Sequence, residues 1–219
     1  MKILAVGAHP DDIEIFMFGM LSICQDRGDD IAMIVATDGK QGNVLTSENL
    51  IEKRQKECID ALKGLGKPIF LNLPDGELST EINAIKILRK EINNYNPDLI
   101  VTHAPEDYHP DHRALSDYVK ISASFKFPIL YCEPLMGINF KPTYYINISK
   151  FFHLKKKAVL KHKSQSPEKF LEAIEISNKF RAAQCNAGNH SYAEVYRFAP
   201  SFPFADISSL LPLNMSVRS

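Results

Sequence analysis

Between residues 2 and 132, short apolar runs alternate with stretches whose apolar residues recur at helical spacing. That alternation restricts the fold more than any other feature of the chain. The runs cover residues 2–7, 30–36, 68–73, 97–102 and 128–132, and are rich in Ile, Leu and Val. Each has strand length, and turn residues such as Thr37-Asp38-Gly39 and Pro74-Asp75-Gly76 close two of them. Residues 15–27, 47–65, 80–95 and 111–122 read as the intervening helices. In the second of these, Ser47, Glu48 and Glu52 open the helix, and Leu50, Ile51, Cys58, Ile59 and Leu62 form its apolar face. In the third, Ile82, Ile85, Leu88 and Ile92 do the same. Strands that are apolar on both faces and joined through helices predict a mostly parallel α/β sheet covered on both sides.

After about residue 133 the pattern changes. Residues 143–148 and 191–198 read as strands, and 149–162 and 167–187 as helices. The tail, 200–219, sets Phe202, Phe204, Leu210 and Leu211 among prolines and serines. It is expected to pack over the domain or against a neighbouring subunit, which leaves a homo-oligomer open. With no repeat and no linker, the expectation is one domain over 1–219, with a core of 1–132 and a C-terminal elaboration of 133–219.

Lys plus Arg and Asp plus Glu balance at 26 each, so no excess charge points to nucleic acid or an anionic membrane as a partner. No apolar run approaches the roughly 18 residues that a membrane span needs. The chain enters its first strand without a signal-like segment. Cys24, Cys58, Cys132 and Cys185 form no CxxC pair, which fits buried, reduced thiols in a cytoplasmic protein.

Two clusters carry the chemistry. Ala8-His9-Pro10-Asp11-Asp12-Ile13-Glu14 ends the first apolar run, and His109-Pro110-Asp111-His112 follows the fourth. In open parallel sheets, ligands bind outside the carboxyl ends of the strands, where both clusters fall. Pro10 and Pro110 bias His9 and His109 towards extended backbone. His9 and Asp12 are three apart, as are His109 and His112, a spacing that sets each pair on one side of a first helical turn. Either aspartate alone would be an ordinary helix N-cap; two His-Pro-Asp clusters at two strand ends point instead to a divalent metal. A catalytic site of this kind has three protein ligands and an open position for water. His9, Asp12 and His112 supply two nitrogens and an oxygen, a set suited to Zn²⁺ or Fe²⁺. Asp11 is then spare and placed to take a proton from water. His109, braced by the Asp111 carboxylate and held protonated, would donate to a developing oxyanion.

On these residues the chain resembles the LmbE/PIG-L family of metal-dependent N-acetylglucosaminyl deacetylases. Thr37-Asp38-Gly39, Arg54, Glu57, Ala61, His162-Lys-Ser-Gln165 and Tyr192-Ala-Glu194 extend the resemblance over roughly residues 1–198. The Asp-Asp-Ile-Glu form is similar to the bacillithiol-pathway and chitobiose-deacetylase branches. The resemblance implies a Rossmann-like three-layer fold and hydrolysis of a linear amide, the acetamide of a small amino-sugar conjugate. It implies His9, Asp12 and His112 as ligands, Asp11 as general base, and His109 oriented by Asp111 as electrophilic stabiliser. Arg54, Glu14, Gln165 and Tyr192 would face the substrate. The chain departs from the family where several glycines often follow the first motif: Ile15-Phe16-Met17-Phe18 stands there, and only Gly19 remains. The rival readings are a metal hydrolase of another amide or ester, and a non-enzymatic Rossmann-like binding module. The second is disfavoured because the first strand–helix turn has no GxGxxG cradle.

Overall fold

The computed structural model describes residues 1–42 and 49–212. Seven strands form one sheet in the order β3-β2-β1-β4-β5-β7-β6. They are β1 (Lys2–Gly7), β2 (Asp30–Thr37), β3 (Ile69–Leu73), β4 (Leu99–His103), β5 (Ile129–Cys132), β6 (Tyr144–Asn147) and β7 (Ala193–Phe198). β1 is flanked by β2 and β4, with Val6 opposite both Ile34 and Thr102. β1 to β5 are parallel. β7 runs antiparallel beside β5, and β6 antiparallel beside β7. The helices are α1 (Asp12–Phe16), α2 (Phe18–Asp26), α3 (Leu50–Leu62), α4 (Ala84–Tyr95), α5 (Pro110–Ala123), α6 (Phe152–Val159) and α7 (Pro167–Gln184).

Alternate residues of the central strands supply two separate cores. Ile3, Ala5, Met33, Val35, Leu99 and Val101 face one side with residues of α1, α2, α3, α6 and α7. Leu4, Val6, Ile34, Ala36 and Ile100 face the other, against α4 and α5. Period-two alternation with both faces apolar is what a covered parallel sheet requires, and the three-layer α/β expectation holds.

Three local expectations need correction. The helix read over 15–27 is two helices, α1 and α2, parted at Met17, whose φ is −131°. The break is stabilised from a distance: Glu194 on β7 accepts the backbone N–H groups of Gly19 and Met20, both at 2.8 Å, and so caps α2. The helix read from residue 80 starts at Ala84, which leaves Ile82 ahead of it and exposed; its buried face is Ala84, Leu88 and Ile92. Three cysteines are buried and free, but Cys185, at the end of α7, is exposed. Ser47 and Glu48 lie outside the described residues, as does the tail beyond 212. Within the described tail, Ile207 and Leu211 are buried, with Phe204 and Leu210 packed beside them, while Phe202 is exposed. Among the described residues no helix is long and apolar enough to cross a membrane.

Candidate active site

The sheet order reverses beside β1, because β2 continues it on one side and β4 on the other. A crevice outside the carboxyl ends of the strands follows from that topology. The loops after β1, β2, β3 and β4 all deliver side chains there. Gly7 keeps the first loop tight: a Cβ on it would sit 3.1 Å from Asp12 Cβ and 3.2 Å from Ile13 Cγ1.

His9, Asp12 and His112 converge. His9 Nδ1 lies 3.2 Å from His112 Nε2. Asp12 Oδ2 is 3.4 Å from His9 Nδ1, and Asp12 Oδ1 is 3.4 Å from His112 Nε2. Donors about 2.1 Å from a tetrahedral ion sit about 3.4 Å apart, so the His9–His112 and Asp12 Oδ1–His112 separations each fit a divalent cation, with the other Asp12 oxygen the one near His9. The outer ring nitrogens make the same case. His112 Nδ1 faces Asp107 Oδ2 at 2.9 Å. His9 Nε2 faces Asp75 Oδ1 at 3.1 Å and Asp111 Oδ2 at 3.3 Å. Carboxylates there hold the protons on the outer nitrogens and turn two lone pairs towards each other beside Asp12, an arrangement that calls for positive charge between them. The titration directions agree. Burial opposes charge on both rings, yet Asp12 with Asp111 and Asp75 raises the pKa of His9 well above its usual value. Asp12 and Asp107 likewise push His112 up to about 9. Burial also works against the Asp12 carboxylate, but the neighbouring His112, His103 and His9 hold its pKa well below the usual range.

Asp11 lies outside this set. Its Oδ2 accepts from Arg54 Nη2 at 3.2 Å, and Arg54 Nη1 donates to the Gly39 carbonyl at 2.8 Å. Arg54 is buried at the edge of a pocket of about 370 Å³ that is also lined by Asp11, Asp75, His109, Gln165 and Phe170. The guanidinium thus borders the pocket but is bound to the protein.

Residues 4–122 match the PIG-L family, described as GlcNAc-PI de-N-acetylase. The chain belongs to this family. It is 27% identical to the diacetylchitobiose deacetylase of Thermococcus kodakarensis, over 94% of this chain and 88% of that protein. The N,N'-diacetylchitobiose deacetylase of Pyrococcus horikoshii is similar in structure, with a TM-score of 0.76, 25% identity, and coverage of 96% of this chain and 88% of that one. A 4-carboxy-2-hydroxymuconate hydratase of Pseudomonas putida gives a TM-score of 0.81 at 18% identity, covering 94% of this chain and 99% of that one. At that identity the likeness is one of fold alone.

Several contacts differ from those expected of a PIG-L member by sequence. The Asp111 carboxylate does not brace His109. It accepts the N–H groups of Gly76 at 2.7 Å and Leu78 at 3.2 Å and reaches His9. What meets His109 is the Asp111 backbone: its N–H, an otherwise unpaired donor at the start of α5, donates to His109 Nδ1 at 3.2 Å. Burial and the neighbouring His9 and His112 lower the His109 pKa, against the protonated ring expected. Glu14 does not line the pocket. Two helical residues beyond Asp12 turn the side chain to about the opposite face, where Glu14 is fully buried and its Oε1 lies 2.8 Å from His162 Nε2. Tyr192 also lies off the pocket: its ring stacks on Phe152 at 3.6 Å, and its hydroxyl donates to Glu175. Gln165 does line the pocket.

Asp75, His103 and Asp107 were missed. His103 ends β4, lies 3.0 Å from Asp12 Oδ2 and stacks on His112 at 3.8 Å. Burial and the adjacent His112 hold its pKa down to about 4, so it backs Asp12 as a neutral ring. A third histidine at a strand end, six residues before His109, was a usable signal for His103. Asp107, five residues before His112, offered a weaker one.

Proposed function

We propose that this PIG-L family chain hydrolyses the acetamide of an N-acetylglucosamine-type conjugate, releasing acetate and a free amine. The observation that carries the reading is His9 Nδ1 facing His112 Nε2 across 3.2 Å beside Asp12, with Asp11 outside that set and lining the pocket. The diacetylchitobiose deacetylase activity of the relatives supports the substrate class. A divalent cation, Zn²⁺ or Fe²⁺, held by His9, Asp12 and His112 supplies Lewis acidity towards the carbonyl and lowers the pKa of water towards about 7.

Asp11 accepts a proton from the attacking water. Arg54 engages its Oδ2, so Oδ1 is the oxygen offered to that water. His109 acts as a neutral donor. Its Nδ1 accepts the Asp111 N–H, which puts the ring proton on Nε2, and the pocket-lining ring can then hydrogen-bond the tetrahedral oxyanion. A neutral imidazole is a poor acid, so the proton for the departing amine comes from Asp11, which took it from water. One water proton thus ends on the amine, and the hydroxide enters acetic acid, which leaves as acetate with its proton released to solvent. Free thiols and the lack of a spanning helix among the described residues fit a cytoplasmic setting.

Acetate release from a panel of N-acetylglucosamine conjugates, by metal-reloaded and chelator-stripped protein, tests the reading. Release is expected only from the reloaded sample. No release with the ion shown to be bound would refute it.

A further inference from the structure

The pocket's charges are uneven. Asp11, Asp12 and Asp75 line it, and Arg54 is the one Lys or Arg among the described lining residues. Arg54 is spent on Gly39 and Asp11, with Nη1 3.9 Å from Asp75. Lys40 and Arg113 lie in flanking segments but do not line the pocket, and Arg113 Nη1 is bound to the carbonyls of Asp107 and Tyr108. Any cation held by His9, Asp12 and His112 has Asp12 against it and the Asp75, Asp107 and Asp111 carboxylates behind its ligands. An anionic group placed away from the metal's open position would meet carboxylates, with no uncommitted Lys or Arg among the described lining residues to pair with. Beyond the histidines, the rest of the lining mixes the neutral polar side chains of Gln41, Tyr108 and Gln165 with apolar ones that include Phe16, Leu135 and Phe170.

Building on the deacetylase reading, we propose that the moiety joined to the amino sugar is neutral and lays an apolar face on Phe16, Leu135 and Phe170, and that anionic conjugates are rejected. A second hexose ring, through its C–H face, or an aryl group meets that description.

The test uses metal-loaded enzyme with two matched probes, phenyl and 4-carboxyphenyl N-acetylglucosaminide, read as acetate released. The expected kcat/KM for the carboxylate is lower by at least about tenfold. Leu135→Arg, which supplies a cation, is expected to narrow that gap. Phe170→Ala is expected to cut the preference for phenyl over methyl glycoside by about fivefold. Equal or faster turnover of the carboxylate overturns the proposal. So does an unchanged gap in a Leu135→Arg variant that still hydrolyses the phenyl glycoside. Acetate from neither probe, with the ion bound, would overturn the deacetylase reading itself.

Discussion

Replacing Glu194 by alanine takes one acceptor away from four donors at once. Lys155 Nζ lies 2.7 Å from Oε1, and the Tyr196 hydroxyl 2.7 Å from Oε2. The Gly19 and Met20 N–H groups complete the set. Both ends of the ion pair are buried, with Lys155 1% and Glu194 3% exposed. Breaking such a pair costs about 3–5 kcal/mol, and losing a helix cap about 1 kcal/mol more. Two features offset part of this. Asn178 Oδ1 still accepts from Lys155 at 3.2 Å. A cavity of about 30 Å³ beside the pair, room for about one water, can partly resolvate the ammonium. The net expectation is a loss of about 3–4 kcal/mol, a large share of the about 5–15 kcal/mol a domain usually has. Urea unfolding of the full chain, metal-free so that ligand linkage does not mask the change, reads it as the shift in midpoint times the slope. Pairing Glu194→Leu with Lys155→Met should recover all but the cap contribution. A loss below about 1 kcal/mol for the alanine variant, or a double variant no more stable than it, would refute the argument from buried charge.

Asp11→Asn is expected to keep the metal and lower kcat by about 10²–10⁴-fold; metal content with steady-state rates checks both, and loss of the ion would make Asp11 a ligand. Asp107→Ala removes the acceptor facing His112 Nδ1, and metal affinity measured against a competing chelator should weaken by about 10–100-fold. His109→Ala should lower kcat by about 10²–10³-fold with metal retained, as for loss of an oxyanion donor. Gly19→Ala puts a Cβ 2.7 Å from Ile148 Cβ. It should cost about 1–3 kcal/mol in the same unfolding assay, and Ile148→Ala in the same chain should restore part of it.

What sequence reading found, and what it missed, divides by the range of the interaction. β1 to β5 were legible because each is mostly apolar over its own few residues, and because they obey a local rule that both faces are covered. That His9, Asp12 and His112 converge was legible because a strand end, a proline and a three-residue spacing are all local. The break at Met17 was not, because the group that caps α2 comes from Glu194, 175 residues on from Gly19. Nothing between residues 12 and 26 encodes it. Asp75 read as a turn aspartate, and it is one; that it faces His9 depends on how the β3 loop lies against the β1 loop. Proximity in sequence also misled. Asp111 stands two residues from His109, but its carboxylate finds better donors in the Gly76 and Leu78 N–H groups, and only its backbone serves His109. Glu14 stands two residues from Asp12, and helical geometry turns it to His162. The same logic explains Gly19. The other glycines common after this motif are replaced here, but a side chain at 19 would strike Ile148 and disturb the backbone that donates to Glu194. Glycine stands where Ile148, just past the end of β6, comes too close for anything larger, and where the N–H it offers anchors the helix next to the pocket wall.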